Sequence, residues 1–274
     1  MRLGLEAGDP TPELAAELAI TGVPIDGGAL VEHGVQAALA PLRKHSLSVC
    51  QIGAFGFNPV SDDAEAAQAQ TQLLNQIIPL AADTGCRYIT LGPGNHHPSG
   101  FGHYDLRNTT DDAIHAYAQA IKPLAELAEK HDAVLCIEAY LKGVVRSAES
   151  FLAVQDQVGS DRLRCNVDPS SLYAGLHDFL TPMPLVEKTI AGLAGHVGLV
   201  HVKELGVEEG FHLQMGLTPI TAGHTDWGRF LTLVEPHLPE DSWVILEHIL
   251  SADQARSSHR YLSDAAHRAG VSLA

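Results

Sequence analysis

Ala133–Tyr140 reads AVLCIEAY, a short apolar run that stops at a glutamate. The same grammar returns in LRCNVDPS (Leu163–Ser170), GLVHVKEL (Gly198–Leu205) and WVILEHI (Trp243–Ile249). Aliphatic and β-branched runs of this length are strand-like. Each is closed by a polar residue: Glu138, Asp168, His201 and Glu247. In a closed barrel of parallel strands the C-terminal strand ends share one rim, which is where such barrels carry their chemistry. The four side chains would then meet.

Worked outward from these four, an alternation of strand and helix covers the chain. Strand-like runs fall at Leu3–Ala7, Ala19–Ile25, Leu47–Ala54, Arg87–Leu91, Val134–Ala139, Leu163–Val167, Val197–Val202 and Trp243–Glu247. Helix-like runs follow at Pro12–Leu18, Gly28–His45, Asp62–Thr84, Thr110–His131, Ala148–Val158, Pro184–Leu193, Asp226–Glu235 and Ala252–Arg268. The third carries Leu73, Leu74, Ile77 and Leu80; the fourth carries Ile114, Tyr117, Ile121, Leu124 and Leu127. Both keep the 3.6-residue period that buries one helix face. Eight βα units without a break in composition predict one α/β domain over residues 1–274, a (β/α)8 TIM barrel, with an open doubly wound sheet as the alternative.

Composition narrows the function. The 274 residues carry 33 acidic and 17 basic side chains, a formal charge of −16. That balance argues against nucleic acid and anionic membrane as partners. No apolar stretch reaches the roughly 18 residues of a membrane span, and MRLGLEAGDPTPE lacks the layout of a signal peptide. Cys50, Cys86, Cys136 and Cys165 form no CxxC pair and lie in or beside apolar runs. They read as reduced, buried thiols, so a cytoplasmic location is expected. GxGxxG and GxxxxGK[ST] are both absent, which leaves nucleotide binding unsupported. The longest irregular stretches, Gly92–Asn108, Lys203–Thr225 and the part after Asp168, all follow strands and so belong to the functional rim.

Taken singly, a glutamate at a strand end reads as a solvated rim residue and a lone histidine as a satisfied core residue. The set reads differently. Side chains alternate across a strand, so Val134–Cys136–Glu138, Val197–Leu199–His201 and Trp243–Ile245–Glu247 are apolar rows that each end in a donor atom. Asp168 is the exception, because its row holds Arg164 and Asn166; its case rests on position just past the strand. Three carboxylates in one mouth repel without a cation. An oxygen-rich set with one imidazole suits Mn²⁺ first, with Mg²⁺ or Co²⁺ as alternatives.

With those motifs in place the chain resembles the xylose isomerase-like sugar isomerase/epimerase superfamily over nearly its whole length. The matching pieces are IEAY, NVDPSS, VHVKE, AGHTDW and ILEH. The resemblance implies one divalent metal held by Glu138, Asp168, His201 and Glu247. It also implies a small sugar or sugar-derived substrate, and a reaction in which Glu138 and Glu247 move a proton beside a carbonyl while Asp168 and His201 fix the metal. Homo-oligomers are common in the family, though no interface pattern is legible. The chain departs from the family in three places. Ile220 and Thr221 stand where Pro and Gly are usual, and Ser171 stands where many members place a substrate-contacting histidine. ELGVEEGFHLQ offers no counterpart to the usual arginine, leaving Lys203 and His212 as substitutes.

Further rim residues complete the candidate substrate contacts. Glu6 offers hydrogen bonds to hydroxyls, and Phe55 and Phe57 an apolar wall. His97, with His96 and His103, lies in a histidine-rich loop, and Lys142 and Arg146 are set to grip an anionic group. Each also has a plainer reading as solvated charge or loop packing, and Trp227 reads as packing for the seventh helix. Four functions compete: a metal-dependent isomerase or epimerase working through an enediolate, a lyase or dehydratase on a keto-sugar, keto-cyclitol or carbon-linked sugar, an abasic-site endonuclease, and a non-catalytic sugar-binding module. The endonuclease would need more histidine ligands and a basic groove, which Ser171 and the charge of −16 disfavour.

Overall fold

The structure, a computed structural model, describes residues 1–7, 11–208 and 210–274. Among the described residues ten strands are formed: β1 (Arg2–Ala7), β2 (Gly22–Asp26), β3 (Ser48–Ala54), β4 (Tyr88–Leu91), β5 (Val134–Glu138), β6 (Leu163–Val167), β7 (Val197–Val202), β8 (Glu204–Val207), β9 (Met215–Thr218) and β10 (Trp243–Ile249). Eight of them close into one barrel in the order β1-β10-β7-β6-β5-β4-β3-β2, with parallel pairing throughout. The (β/α)8 barrel read from the sequence is the fold.

The helices are α1 (Thr11–Glu17), α2 (Gly27–His33), α3 (Val35–Arg43), α4 (Ala64–Leu80), α5 (Asp111–Lys130), α6 (Ala148–Val158), α7 (Leu176–Leu180), α8 (Met183–Gly192), α9 (Trp227–Val234) and α10 (Ala252–Ala269). The stripe predicted on α5 is buried at Ile114, Tyr117, Ile121 and Leu124. The expected helix Gly28–His45 is instead two helices, parted at Gly34, whose φ of 81° no L side chain adopts readily. Within Lys203–Thr225, expected to be irregular, β8 and β9 pair as an antiparallel hairpin, with Glu204 opposite Thr218 and Val207 opposite Met215. α7 is a short turn of helix in a stretch read only as loop. All four cysteines are free and buried. Among the described residues, no helix is long and apolar enough to cross a membrane.

The N-terminal end of the barrel is plugged. Trp243 is 2% exposed, and the Arg2 guanidinium lies 3.7 Å above its ring. β1 and β2 touch through Gly4 and Gly22, and both must be glycine for the plug to fit. A Cβ on Gly22 would lie 2.4 Å from Cζ3 of Trp243, and one on Gly4 would lie 2.9 Å from Cys50 Sγ. Overpacking of this kind costs typically about 1–3 kcal/mol. Gly22→Ala is therefore expected to lower the free energy of unfolding by that amount, read as a lower midpoint of denaturant unfolding, and an unchanged midpoint would show that Trp243 is free to move.

Two irregularities aim the functional end. Cys165 pairs with Val197 but Asn166 with Leu199, so β7 carries one extra residue at Gly198. A Cβ there would sit 2.5 Å from Cys136 Sγ and 2.9 Å from Arg164 Cβ. The row Val197–Leu199–His201 thus does not run unbroken; the bulge intervenes. In β10, Leu246 pairs with Leu5 and Ile249 with Ala7, so Glu247 and His248 together face Glu6. His248 takes the bulge with φ of 54°, a conformation costly for a residue other than glycine and concentrated at functional sites.

Candidate metal centre

The interior near the C-terminal mouth is polar where the rest of the barrel is apolar. Gln51, Thr90, Asn166 and His201 are each fully buried there. His201 Nε2 lies 2.9 Å from Gln51 Oε1, which also accepts from Thr90 Oγ1 at 2.8 Å. An amide oxygen only accepts, so Nε2 carries the hydrogen and Nδ1 of the neutral ring is a lone pair. That nitrogen is 2.8 Å from Glu247 Oε2 and 3.4 Å from Glu138 Oε2. One ligand atom from each of Glu138, His201 and Glu247 lies within 4.8 Å of the others. A lone pair and two anionic oxygens aimed at one point repel unless positive charge joins them. Burial alone would push the imidazole pKa down, but the Glu247 and Glu138 carboxylates hold it well above its ordinary value, so without a metal a proton on Nδ1 supplies that charge and a bound cation would replace it. For Glu247, burial would push the carboxyl up, and His201 and then Lys203 pull it below the usual range. Oxygen donors with one imidazole, three in number and open on one side, fit a divalent cation. The buried atoms Glu6 Oε2 and Asn166 Oδ1, with no hydrogen-bond partner among the described residues, fit a site built to receive something.

Asp168, expected as a fourth ligand, joins the cluster through Lys203. Its Oδ1 accepts from the Ser170 amide at 3.1 Å and the Ser170 hydroxyl at 2.8 Å. Its Oδ2 accepts from Ser171 Oγ at 2.6 Å and lies 2.5 Å from Lys203 Nζ. Lys203 is 8% exposed, and its ammonium also lies 2.7 Å from Glu247 and 3.7 Å from Glu138. It donates to Ser171 Oγ at 3.2 Å. Burial would lower the Lys203 pKa, yet Asp168, Glu247 and Glu138 together drive it above its ordinary value, so it stays charged. The serine at position 171 thus joins Asp168 to Lys203.

Other predicted residues divide. Glu6 and Phe55 line the mouth beside Glu138 and Glu247, and the Phe55 and His201 ring centroids are 6.3 Å apart. Burial, then Glu247, pushes the Glu6 carboxyl above its ordinary pKa. Phe57 is only 1% exposed and packs edge-on against Tyr117, so it is core rather than wall. Lys142 lines a second cavity with Ser171 and Lys203 and donates to Gly102 O. Arg146 is spent on the backbone carbonyls of Asn108, Val144 and Thr109. His97 stacks on His103 at 4.5 Å, and His212 sits beside the exposed Phe211 in the turn of the β8–β9 hairpin. Trp227 packs α9, edge-on to Phe230.

Several contributors were not picked out from sequence. Asn166 donates to Glu138 Oε2 at 3.3 Å and its amide lies 3.1 Å from each ring nitrogen of His201. The polar row Arg164–Asn166–Asp168 therefore faces inward, and its polarity was itself the available signal. Glu204 accepts from the Thr225 amide, and a Cβ on Gly223 would fall 2.0 Å from its Cγ. That clamp joins the VHVKE segment to AGHTDW. Asn95 and Asn108 knit the loop after β4 to the loop after β5 through Lys142 O.

Comparison with known proteins agrees with the barrel fold. The sequence profile described as "Xylose isomerase-like TIM barrel" matches residues 12–265. No curated relative matches the sequence. Among solved structures, a D-tagatose 3-epimerase-like protein superposes with a TM-score of 0.75 at 16% identity, covering 98% of each chain. A xylose isomerase-like TIM-barrel protein from Mycobacterium smegmatis, solved with magnesium, gives 0.73 at 16% identity, covering 94% of this chain and 87% of that one. A 3-keto-D-glucoside 4-epimerase from E. coli gives 0.71 at 13% identity, covering 97% and 99%. At these identities the likeness is one of fold, while the profile spans nearly the whole sequence: the chain belongs to the xylose isomerase-like TIM-barrel family.

Proposed function

We propose that this protein is a divalent-metal-dependent isomerase or epimerase of a small sugar or sugar-derived hydroxyketone. The observation that carries this reading is the convergence of Glu138, His201 and Glu247 at the open mouth of the barrel, with both glutamates lining the cavity that a substrate enters. When bound, the cation (Mn²⁺ first, Mg²⁺ or Co²⁺ otherwise) supplies Lewis-acid stabilisation of negative charge on adjacent substrate oxygens. The protein's own groups do the rest. Gln51 and Thr90 fix the His201 tautomer so that Nδ1 faces the cup. Glu138 and Glu247 are the pair that removes and returns the proton on the carbon beside the carbonyl. Glu6 takes a hydroxyl hydrogen bond, and Lys203 with Asp168 closes the cup on the Ser171 side.

A proton taken by one glutamate and replaced from the other is exchanged with solvent, whatever the final product. A panel of ketoses and aldoses in D₂O, followed by proton NMR with Mn²⁺-, Mg²⁺- or Co²⁺-loaded protein (paramagnetic ions removed before reading), is expected to show loss of one α-proton signal in at least one sugar. Loss of water or of an aglycone in place of exchange would move the assignment to a lyase. Chelation should abolish the exchange. Returning the metal at about a hundredfold above its Kd should stabilise the fold by about 2.7 kcal/mol, which raises Tm by roughly 5 °C or more at ~2–4 °C per kcal/mol. An unmoved Tm and metal-independent exchange would contradict the proposal.

A further inference from the structure

The mouth of the barrel holds two cavities of different character on either side of the glutamate pair. One, of about 380 Å³, reaches from Glu138 and Glu247 to Phe55, Pro93 and Phe101. The other, of about 330 Å³, is walled by Lys142, Ser171, Tyr173 and Lys203 together with Leu205 and Met215 of the hairpin. Tyr140 and His248 border both. Each alone falls in the range of roughly 300–1,000 Å³ that takes a drug-sized ligand, so a single free sugar fills only part of the mouth.

The chemistry of the walls assigns the two halves. Every sugar hydroxyl that leaves water needs a partner, and an unmet one costs about 1–3 kcal/mol. Beyond the cup itself, the Phe55 side offers side-chain partners at Glu6 and at the shared Tyr140 and His248, whereas the Lys203 side adds two ammonium groups and the hydroxyls of Ser170, Ser171 and Tyr173. The apolar side is also a built wall. Phe101 lies flush on the backbone of Gly92, where a Cβ would come within 2.6 Å of its ring and 2.5 Å of Phe55 O. Lys142 donates to Gly102 O and so pins the segment that carries Phe101. Phe55 nonetheless keeps 37% of its surface exposed, an aromatic face left free beside the reacting groups.

We infer that the substrate is a glycoside whose ring carries a ketone, with its remaining hydroxyls towards Ser171, Lys142 and Lys203 and an aromatic aglycone against the wall of Phe55 and Phe101. This rests on the isomerase or epimerase reading for the placement of the reacting carbon at Glu138 and Glu247. Aromatic rings pack against such a wall in offset or edge-to-face contact and add to the area they bury. A free hexulose lacks the group that fills this half.

Non-reacting probes test the wall without turnover. Phenyl β-D-glucopyranoside and methyl β-D-glucopyranoside are titrated calorimetrically into Mg²⁺-loaded protein, and saturation-transfer NMR maps which ligand protons lie closest. The phenyl glucoside is expected to bind at least tenfold more tightly, with the strongest saturation on its ring protons. The Phe55→Ala/Phe101→Ala pair should cut that preference below twofold, and Phe55→Leu/Phe101→Leu, which keeps the apolar volume, should retain part of it. Equal affinities, no binding by either glucoside, or a preference that survives the alanine pair overturns the inference. If ketohexose α-proton exchange persists in such a case, the isomerase or epimerase reading stands alone; if exchange is absent as well, both readings fall.

Discussion

Glu247→Gln is expected to lower turnover by at least a thousandfold while the barrel stays folded. Glutamine keeps the volume of a side chain that is 4% exposed, so packing is preserved. Two things are lost at once. The amide cannot take a proton, and a positioned acid or base is worth typically about 10²–10⁴-fold. One of the three convergent ligand atoms also loses its charge, so metal affinity should fall. Lys203, 2.7 Å away, loses one of its counter-ions but keeps Asp168 at 2.5 Å, which limits the damage to the fold. Steady-state kinetics, metal analysis and circular dichroism separate these effects. Full activity with normal metal content would remove Glu247 from the chemistry.

Lys203→Met should have the second largest effect, with opposite signs in metal-free and metal-loaded protein. Without metal, Asp168 and Glu247 are left buried and facing each other without their shared cation. Removing one partner of a buried ion pair costs about 3–5 kcal/mol, so the metal-free variant should unfold at clearly lower temperature. With metal, the sign reverses. The Lys203 ammonium lies within 2.7 Å of Glu247 and 3.7 Å of Glu138, both ligands of the proposed cation, and like charges at such range repel strongly in a partly desolvated site. Removing it should tighten Mn²⁺ binding at least tenfold, about 1.4 kcal/mol, and metal should recover much of the lost stability. Weaker metal binding in the variant would show instead that Lys203 supports the cup's shape.

The barrel was legible because its evidence is local. Apolar runs of strand length alternate with helical stripes such as that of α5, and each bounds the next. Glu138 and Glu247 were legible for the same reason, since side-chain alternation carries Cys136 and Trp243 to the same face as the donor that ends their row. The rest depends on contacts between residues far apart in sequence. The bulge at Gly198 is set by Cys136 and Arg164 on neighbouring strands, so parity in β7 could not be counted from β7 alone. The hold of Lys203 on Asp168, across from β7, is likewise not written in NVDPSS. Gln51 lies 150 residues from the histidine it orients, and nothing in SVCQIGA marks it. The hairpin escaped notice because its short strands expose Val207 and Leu217 and so lack the buried face that betrays a strand by pattern.

The central claim is that Glu138, His201 and Glu247 form one cation site at the mouth of the barrel. Calorimetric titration of Mn²⁺ into chelator-stripped protein tests it most directly, run beside the Glu138→Gln/Glu247→Gln double variant. One cation per chain in the wild type, and none in a folded double variant, is the expected result. No binding to the wild type, or binding that the double variant retains at equal affinity, would contradict it.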